Sequence, residues 1–254
     1  MDYDTIIIGA TFAAAGILES VAENCFVLER RPQAGYEFLN ALKFGSFDKE
    51  PKSDKGKAFL NKLMDKGIFN EYGVKFFDAA STFYSYLSGK NVLLNMEIMS
   101  IEKNSIGFTV TCCGVSGIRK FTAANVIDTT PEKDNIKERS LNFLVVPENK
   151  DGNPFLGFDG MKAYMCGLKS GRICRLALDD DDDYISARKK LYDLTLKEEF
   201  KGYRLEFTAD TFDIAAKSCK VSKKDGITYL TSCAFDNAVD AFDAGVVFGE
   251  GRKA

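Results

Sequence analysis

There is no histidine among the 254 residues. That absence removes the commonest general base, the commonest zinc ligand and every Ser-His-Asp or Cys-His nucleophile arrangement. Chemistry on this chain must come from a cofactor or from a carboxylate, tyrosine, lysine or cysteine. No apolar run approaches the ~20 residues that cross a bilayer. No basic stripe with interleaved aromatics marks a nucleic-acid surface, and the net charge is only −3. Membrane and nucleic acid are therefore not expected partners. The seven cysteines, at 25, 112, 113, 166, 174, 219 and 233, lack the two-residue spacing of zinc or thioredoxin motifs. They read as reduced, mostly buried thiols, and no metal site is expected. The first apolar run starts within a few residues of Met1, without the basic region and cleavage site of a signal peptide, so a cytoplasmic chain is expected.

What is present is concentrated at the start. Residues 4–16 read DTIIIGATFAAAG. The run 5–8 is long enough for one buried strand, and at Gly9 the composition switches to small residues and helix formers. A strand that turns this tightly into a helix aims free backbone N–H groups and the positive end of the helix dipole over the turn, where a diphosphate sits well. Twenty residues after Gly9, at the end of a second apolar run (25–28), stands Glu29. An acid at that distance accepts hydrogen bonds from a ribose hydroxyl of a dinucleotide. The candidate binding residues are therefore Gly9, Ala10, Thr11, Phe12, Ala13 and Ala14 for the diphosphate and Glu29 for the ribose. Thr11 stands where the usual fingerprint has its second glycine. Arg30 and Arg31 open a polar loop, 30–35, beside the adenosine half.

Further along, residues 36–47 are aromatic-rich without a clear period and would run beside a bound dinucleotide. A charged break at 48–57 precedes a helix expected from Asp54, its N-cap, to about Tyr72. A second helix is expected at 79–87, and a short third parallel strand at 92–94. Strand-like runs at 97–103, 107–113 and 119–123 form an antiparallel meander. It leads into NVIDTTP (125–131), a buried strand ending in a small polar turn, with Asp128 closing the strand beside a ligand crevice.

The first turn, the meander and the VIDTTP turn, in this order, resemble the FAD-binding half of two-dinucleotide-binding-domain flavoproteins, the FAD-dependent oxidoreductases. The likeness extends to the C-terminus, where a strand (228–232), a turn (233–237) and a helix (238–249) resemble the family's last element. The resemblance implies an α/β fold: a Rossmann-like parallel sheet with an antiparallel meander, plus a small inserted α+β substrate or cap domain. It implies FAD as the cofactor, Thr129 on a strand running under it, and Asp236 and Asn237 at the flavin end. The FAD-binding domain would comprise 1–131 and 227–254, and the insert 132–226. Within the insert, strands are expected at 141–146, 172–178 and 203–214 and a helix at 184–200. The acidic run 179–183 lacks the alternating spacing of a calcium loop and reads as a solvated lead-in to that helix. Tyr164, Tyr203 and Arg175 are candidate contacts to a small-molecule substrate, although structural roles suit each at least as well.

Three functional classes follow. The first is an oxidoreductase moving hydride or electrons through non-covalently bound FAD. The second is a flavin-fold protein without turnover that binds a cofactor or partner; Thr11, the missing histidine and the small insert favour it. The third, a nicotinamide-dependent reductase, leaves the meander and the last strand-turn-helix without a place.

Overall fold

The computed structural model describes residues 1–21, 24–43, 49–70, 72–149, 151–158 and 161–252. The chain opens with β1 (Tyr3–Ile8), α1 (Phe12–Ser20) and β2 (Cys25–Leu28), a βαβ unit whose strands pair in parallel from Thr5↔Cys25 to Ile8↔Leu28. Both strands are near-continuous apolar runs, because from Thr5 onward every residue of β1, and all of β2, is buried, as both faces of a parallel sheet are covered. Next come α2 (Asp54–Asp65), the two-residue strands β3 (Phe69–Asn70) and β4 (Gly73–Val74), α3 (Phe76–Leu87) and β5 (Val92–Leu93). β5 joins β2 in parallel, the third strand expected from the sequence.

Both ends of α2 differ from expectation. Ser53, not Asp54, is the N-cap: its backbone is extended and its hydroxyl accepts from the Gly56 N–H at 2.9 Å. The helix stops at Asp65 instead of near Tyr72, closed by a Schellman turn in which the N–H groups of Gly67 and Ile68 bond the carbonyls of Met64 and Leu63.

The meander is β6 (Glu97–Asn104), β7 (Gly107–Gly114) and β8 (Gly117–Asp128). Residues 119–123 and 125–128, expected as separate strands, are one. No glycine or proline breaks residues 118–128, so β8 pairs antiparallel with β7 up to Ala123 and continues parallel to β1 as far as Asp128.

A second, antiparallel sheet holds β9 (Ile136–Pro147), β10 (Ala163–Met165), β11 (Arg172–Leu178), β12 (Tyr203–Thr208) and β13 (Asp213–Ala216), with α4 (Tyr184–Thr195) between β11 and β12. The strand expected over 203–214 is two strands. β12 pairs with the C-terminal half of β9 and β13 with its N-terminal half, and between them the Ala209 carbonyl accepts from the Tyr184 hydroxyl at 2.7 Å. The helix expected over 184–200 ends at Thr195 because Lys197 is extended, and a 3-10 turn, Glu198–Phe200, follows. The acidic run does lead into α4. Asp183 caps it through the Ser186 N–H at 2.7 Å, and the carboxylates of Asp179 and Asp182 each meet Lys190 at 2.6 Å.

The chain ends in the hairpin β14 (Ser222–Lys224) and β15 (Ile227–Tyr229), a 3-10 turn at Ser232–Ala234, and α5 (Ala238–Gly251). β15 is shorter than the strand expected at 228–232, and the 3-10 turn takes its end. Since β15 pairs in parallel with β8, the parallel strands run β5-β2-β1-β8-β15. α1 is buried along almost its whole length and packs on α5. Small residues make the crossing close: a Cβ on Gly16 would strike the Phe242 carbonyl oxygen, and one on Gly245 the Ala13 carbonyl oxygen. Among the described residues, no helix is long and apolar enough to cross a membrane.

Candidate functional site

From β1 the chain moves to β2 on one side, while β8 lies on the other. The strand order therefore reverses between β1 and β8, and in open α/β sheets the crevice outside the carboxyl ends of such strands is where ligands bind. A cleft of about 420 Å³ opens there. Its floor is Ile8 and Gly9 from the end of β1 and Asp128 and Thr130 from the end of β8. Glu29, Arg30 and Arg31 line it as well, as do Phe212, just before β13, and Ile214 on β13.

Gly9 has φ +92°, and a Cβ there would lie 2.7 Å from Thr130 Cγ2 and 2.9 Å from Thr129 Oγ1, so only glycine lets β1 turn against β8. Thr129 itself is fully buried beneath the cleft, its hydroxyl bonding to the Ile8 carbonyl at 2.9 Å. Asp128 accepts at one oxygen from both the N–H and the hydroxyl of Thr130, at 2.8 and 2.7 Å, and burial raises its pKa against those two bonds. Glu29 stands just past β2 and is only 2% exposed. Its two oxygens accept from the Ala10 N–H at 2.8 Å and the Arg31 N–H at 2.7 Å, and burial raises its pKa against them. Arg30 pairs with Glu97 at 3.4 Å on the surface, and the Arg31 guanidinium lies 4.4 Å over the Tyr36 ring.

The start of α1 is unlike an open anion seat. Thr11 is its N-cap: the side-chain oxygen accepts from the Ala14 N–H at 3.1 Å and donates to Thr129 Oγ1 at 2.8 Å. The residue that departs from the glycine fingerprint is thus a helix cap tied to β8. The Ala13 N–H donates to Ser232 Oγ at 3.2 Å. The Phe12 N–H donates to Glu37 Oε1 at 2.9 Å, and the Ser232 hydroxyl donates to the same oxygen at 2.8 Å. The fingerprint at residues 9–14 assigns their N–H groups to a diphosphate. In the structure Gly9, Ala10, Phe12, Ala13 and Ala14 each find an acceptor within the chain. The Phe12 side chain points away into the core, stacked on Phe83 at 3.9 Å and edge-on to Phe38 at 5.5 Å.

Glu37 is the residue the sequence reading missed. It is 3% exposed, lines the cleft, and leaves its second oxygen, Oε2, buried without a hydrogen-bond partner among the described residues. Burial pushes its pKa up to about 7, with the Phe12 and Ser232 bonds opposing and the Glu29 charge reinforcing. The one sequence signal was an acid embedded in an apolar stretch, Tyr36-Glu37-Phe38-Leu39. Ser232, expected only as the end of a strand, comes to the same point on the 3-10 turn.

The remaining predicted residues lie elsewhere. Asn237 is the N-cap of α5, accepting from the Asp240 N–H at 2.8 Å. Asp236 is exposed and borders a second cavity of about 410 Å³, with Lys43, Lys162, Tyr164 and Arg175. Cys233 touches both cavities, and burial pushes its thiol up to about 12, so it is no thiolate near neutrality. Arg175 is bound to Asp213 and lies 5.6 Å from the Tyr164 ring centroid, while Tyr203 packs edge-on against Phe155 at 5.0 Å.

No protein-family model matches this sequence, and none of the curated protein sequences matches it. Solved structures do match, over nearly the whole chain, and they show the fold: it is shared with Rossmann-type flavoproteins. A flavoprotein/dehydrogenase from Cytophaga hutchinsonii aligns at TM-score 0.60 and 13% identity over 98% of this chain and 77% of its own. OxyS anhydrotetracycline hydroxylase from Streptomyces rimosus aligns at TM-score 0.62 and 13% identity over 98% of this chain. The glycerol-3-phosphate dehydrogenase from Bacillus halodurans, solved with FAD, aligns at TM-score 0.57 and 12% identity over 99% of this chain. This chain spans 61% and 65% of the length of these last two.

Proposed function

We propose that this chain is an FAD-dependent oxidoreductase-like flavoprotein that holds FAD non-covalently across the crevice between β1 and β8. The observation that carries the reading is the crevice itself: about 420 Å³ at the switch point of the parallel sheet, with the buried carboxylate of Glu29 at its edge. In this reading residues 1–131 and 227–254 make the FAD-binding domain and 132–226 a small substrate or cap domain. Glu29 accepts from the adenosine ribose, and Arg30 and Arg31 flank the same end. Phe212 and Ile214 add apolar lining to the same crevice. Bound FAD would supply hydride or electron transfer, with the protein contributing position and polarity.

The fit is unequal along the cofactor. The crevice and the ribose end suit a dinucleotide. The donor set for its diphosphate is already satisfied by Glu37, Ser232 and Thr11. That observation favours a second reading, a flavin-fold protein without turnover that serves as a cofactor- or partner-binding module. The visible spectrum separates these readings. Protein incubated with FAD and then desalted is expected to keep the two visible bands of an oxidised flavin, and photoreduction followed by oxygen or chemical acceptors is expected to return them. A stable flavin that cannot be cycled would leave the binding module. A colourless protein that takes up no FAD would overturn both flavin readings.

A further inference from the structure

Three observations converge on one side chain. Glu37 lies in the turn after β2, yet its carboxylate reaches the first turn of α1, where Oε1 takes the Phe12 N–H at 2.9 Å and the Ser232 hydroxyl at 2.8 Å. The Ser232 oxygen in turn takes the Ala13 N–H at 3.2 Å. An anion at a helix N-terminus is stabilised by the free N–H groups and by the helix dipole, which is the same physics that seats a phosphate there. The other oxygen, Oε2, is buried, has no hydrogen-bond partner among the described residues and belongs to a side chain lining the cleft.

We propose that Glu37 is a built-in anion occupying the diphosphate seat, and that a diphosphate-bearing cofactor binds this chain only by displacing its carboxylate from the start of α1. This rests on the reading of the crevice as an FAD site and adds a gate to it. A phosphate oxygen and the Glu37 carboxylate compete for the Phe12 N–H and the Ser232 hydroxyl, and as like charges in a buried site they repel one another. Displacement frees the Phe12 N–H and the Ser232 hydroxyl together for the incoming anion, while the Ala13 N–H keeps Ser232 Oγ as its acceptor. A ligand with the flavin ring but no phosphate meets no such competition.

The test compares FAD with riboflavin, which lacks the diphosphate, on wild type and on Glu37→Gln. The amide keeps an oxygen for the Phe12 N–H and the Ser232 hydroxyl but carries no charge. FAD is expected to bind the variant about tenfold or more tightly than wild type, the scale of one charged hydrogen-bond competitor removed, with riboflavin affinity unchanged. FAD affinity equal to or weaker than wild type overturns the gate while leaving the flavin reading standing. FAD binding to neither protein overturns both.

Should the variant fail to fold, wild type alone answers through pH. The groups facing Glu37 are Tyr36 beside it, Glu29 just past β2, and Cys233 on the 3-10 turn, whose carbonyl accepts from Lys43; Arg31 and Asp128 line the same cleft. Protonation near pH 7 discharges Glu37, so FAD affinity is expected to rise several-fold as pH falls from about 8 to about 6, with riboflavin as the reference. An FAD affinity that is flat or falls over that range, relative to riboflavin, overturns the proposal.

Discussion

At the scale of single residues, the site is governed by an acid buried without a cation. Among the described residues no ion pair reaches Glu37, and its pKa of about 7 lies above the ordinary carboxylate value of 4.5. The native state therefore holds the proton more tightly than the unfolded chain. The stability this contributes is full below about pH 4.5 and is lost as pH rises through 7. The loss is on the order of 3 kcal/mol. Urea unfolding of wild type and Glu37→Gln at about pH 5 and pH 8 checks it: the wild-type free energy is expected to fall relative to the variant as pH rises, and parallel behaviour would refute the shift. Thr11 makes the complementary case. Its oxygen both caps α1 and binds Thr129, so Thr11→Ala is expected to cost about 1–2 kcal/mol in the same assay, although the position looks at first like a defective glycine motif.

At the scale of elements, the legible parts were those whose signal is local. β1, α1 and β2 announce themselves by a buried run, a glycine and Glu29; the meander by alternating strands with short turns; the end of α5 by its apolar helix. What stayed hidden depends on partners far away in sequence. Nothing within 117–128 says that one strand changes neighbour at Ala123, and nothing within 203–216 says that β9 is long enough to pair with two short strands in succession. Glu37 was hidden for the same reason, since its partners are Phe12 and, nearly two hundred residues away, Ser232. The crossing of α1 and α5 is another such feature. By helix propensity alone Gly245→Ala would stabilise by roughly 1 kcal/mol. Because the added methyl meets the Ala13 carbonyl oxygen, the substitution is instead expected to destabilise by about 1–3 kcal/mol. Thermal unfolding decides between these, since the two accounts differ in sign.

At the scale of the molecule, the second sheet is tied to the segment and the turn that carry Glu37 and Ser232. Lys43, 7% exposed, donates to the Cys233 carbonyl at 2.6 Å and the Ile214 carbonyl at 3.1 Å, and its ammonium lies 3.5 Å from Asp213. Asp213 also binds Arg175 on β11, and its Oδ2 accepts from Asn142 on β9 at 3.2 Å. Asn142 closes the loop by donating to the Ala41 carbonyl at 2.8 Å, just past the turn that carries Glu37. One buried carboxylate thus links the segment bearing the candidate gate, the 3-10 turn bearing Ser232 and the sheet bearing Ile214. Asp213→Ala leaves Lys43 as an uncompensated buried charge and takes the counter-ion from the partly exposed Arg175, and is expected to cost about 3–5 kcal/mol. Adding Lys43→Met removes the fully buried charge, leaving only Arg175, which reaches solvent, and is expected to recover much of the loss, because a buried pair replaced by apolar side chains is often no less stable. The double variant then separates stability from site geometry. If the tie only stabilises the fold, FAD and riboflavin affinities in the double variant should match wild type. If it also sets where Glu37 and Ser232 stand, the ratio of FAD to riboflavin affinity should move while the unfolding midpoint stays near wild type, and that split can be measured on one preparation.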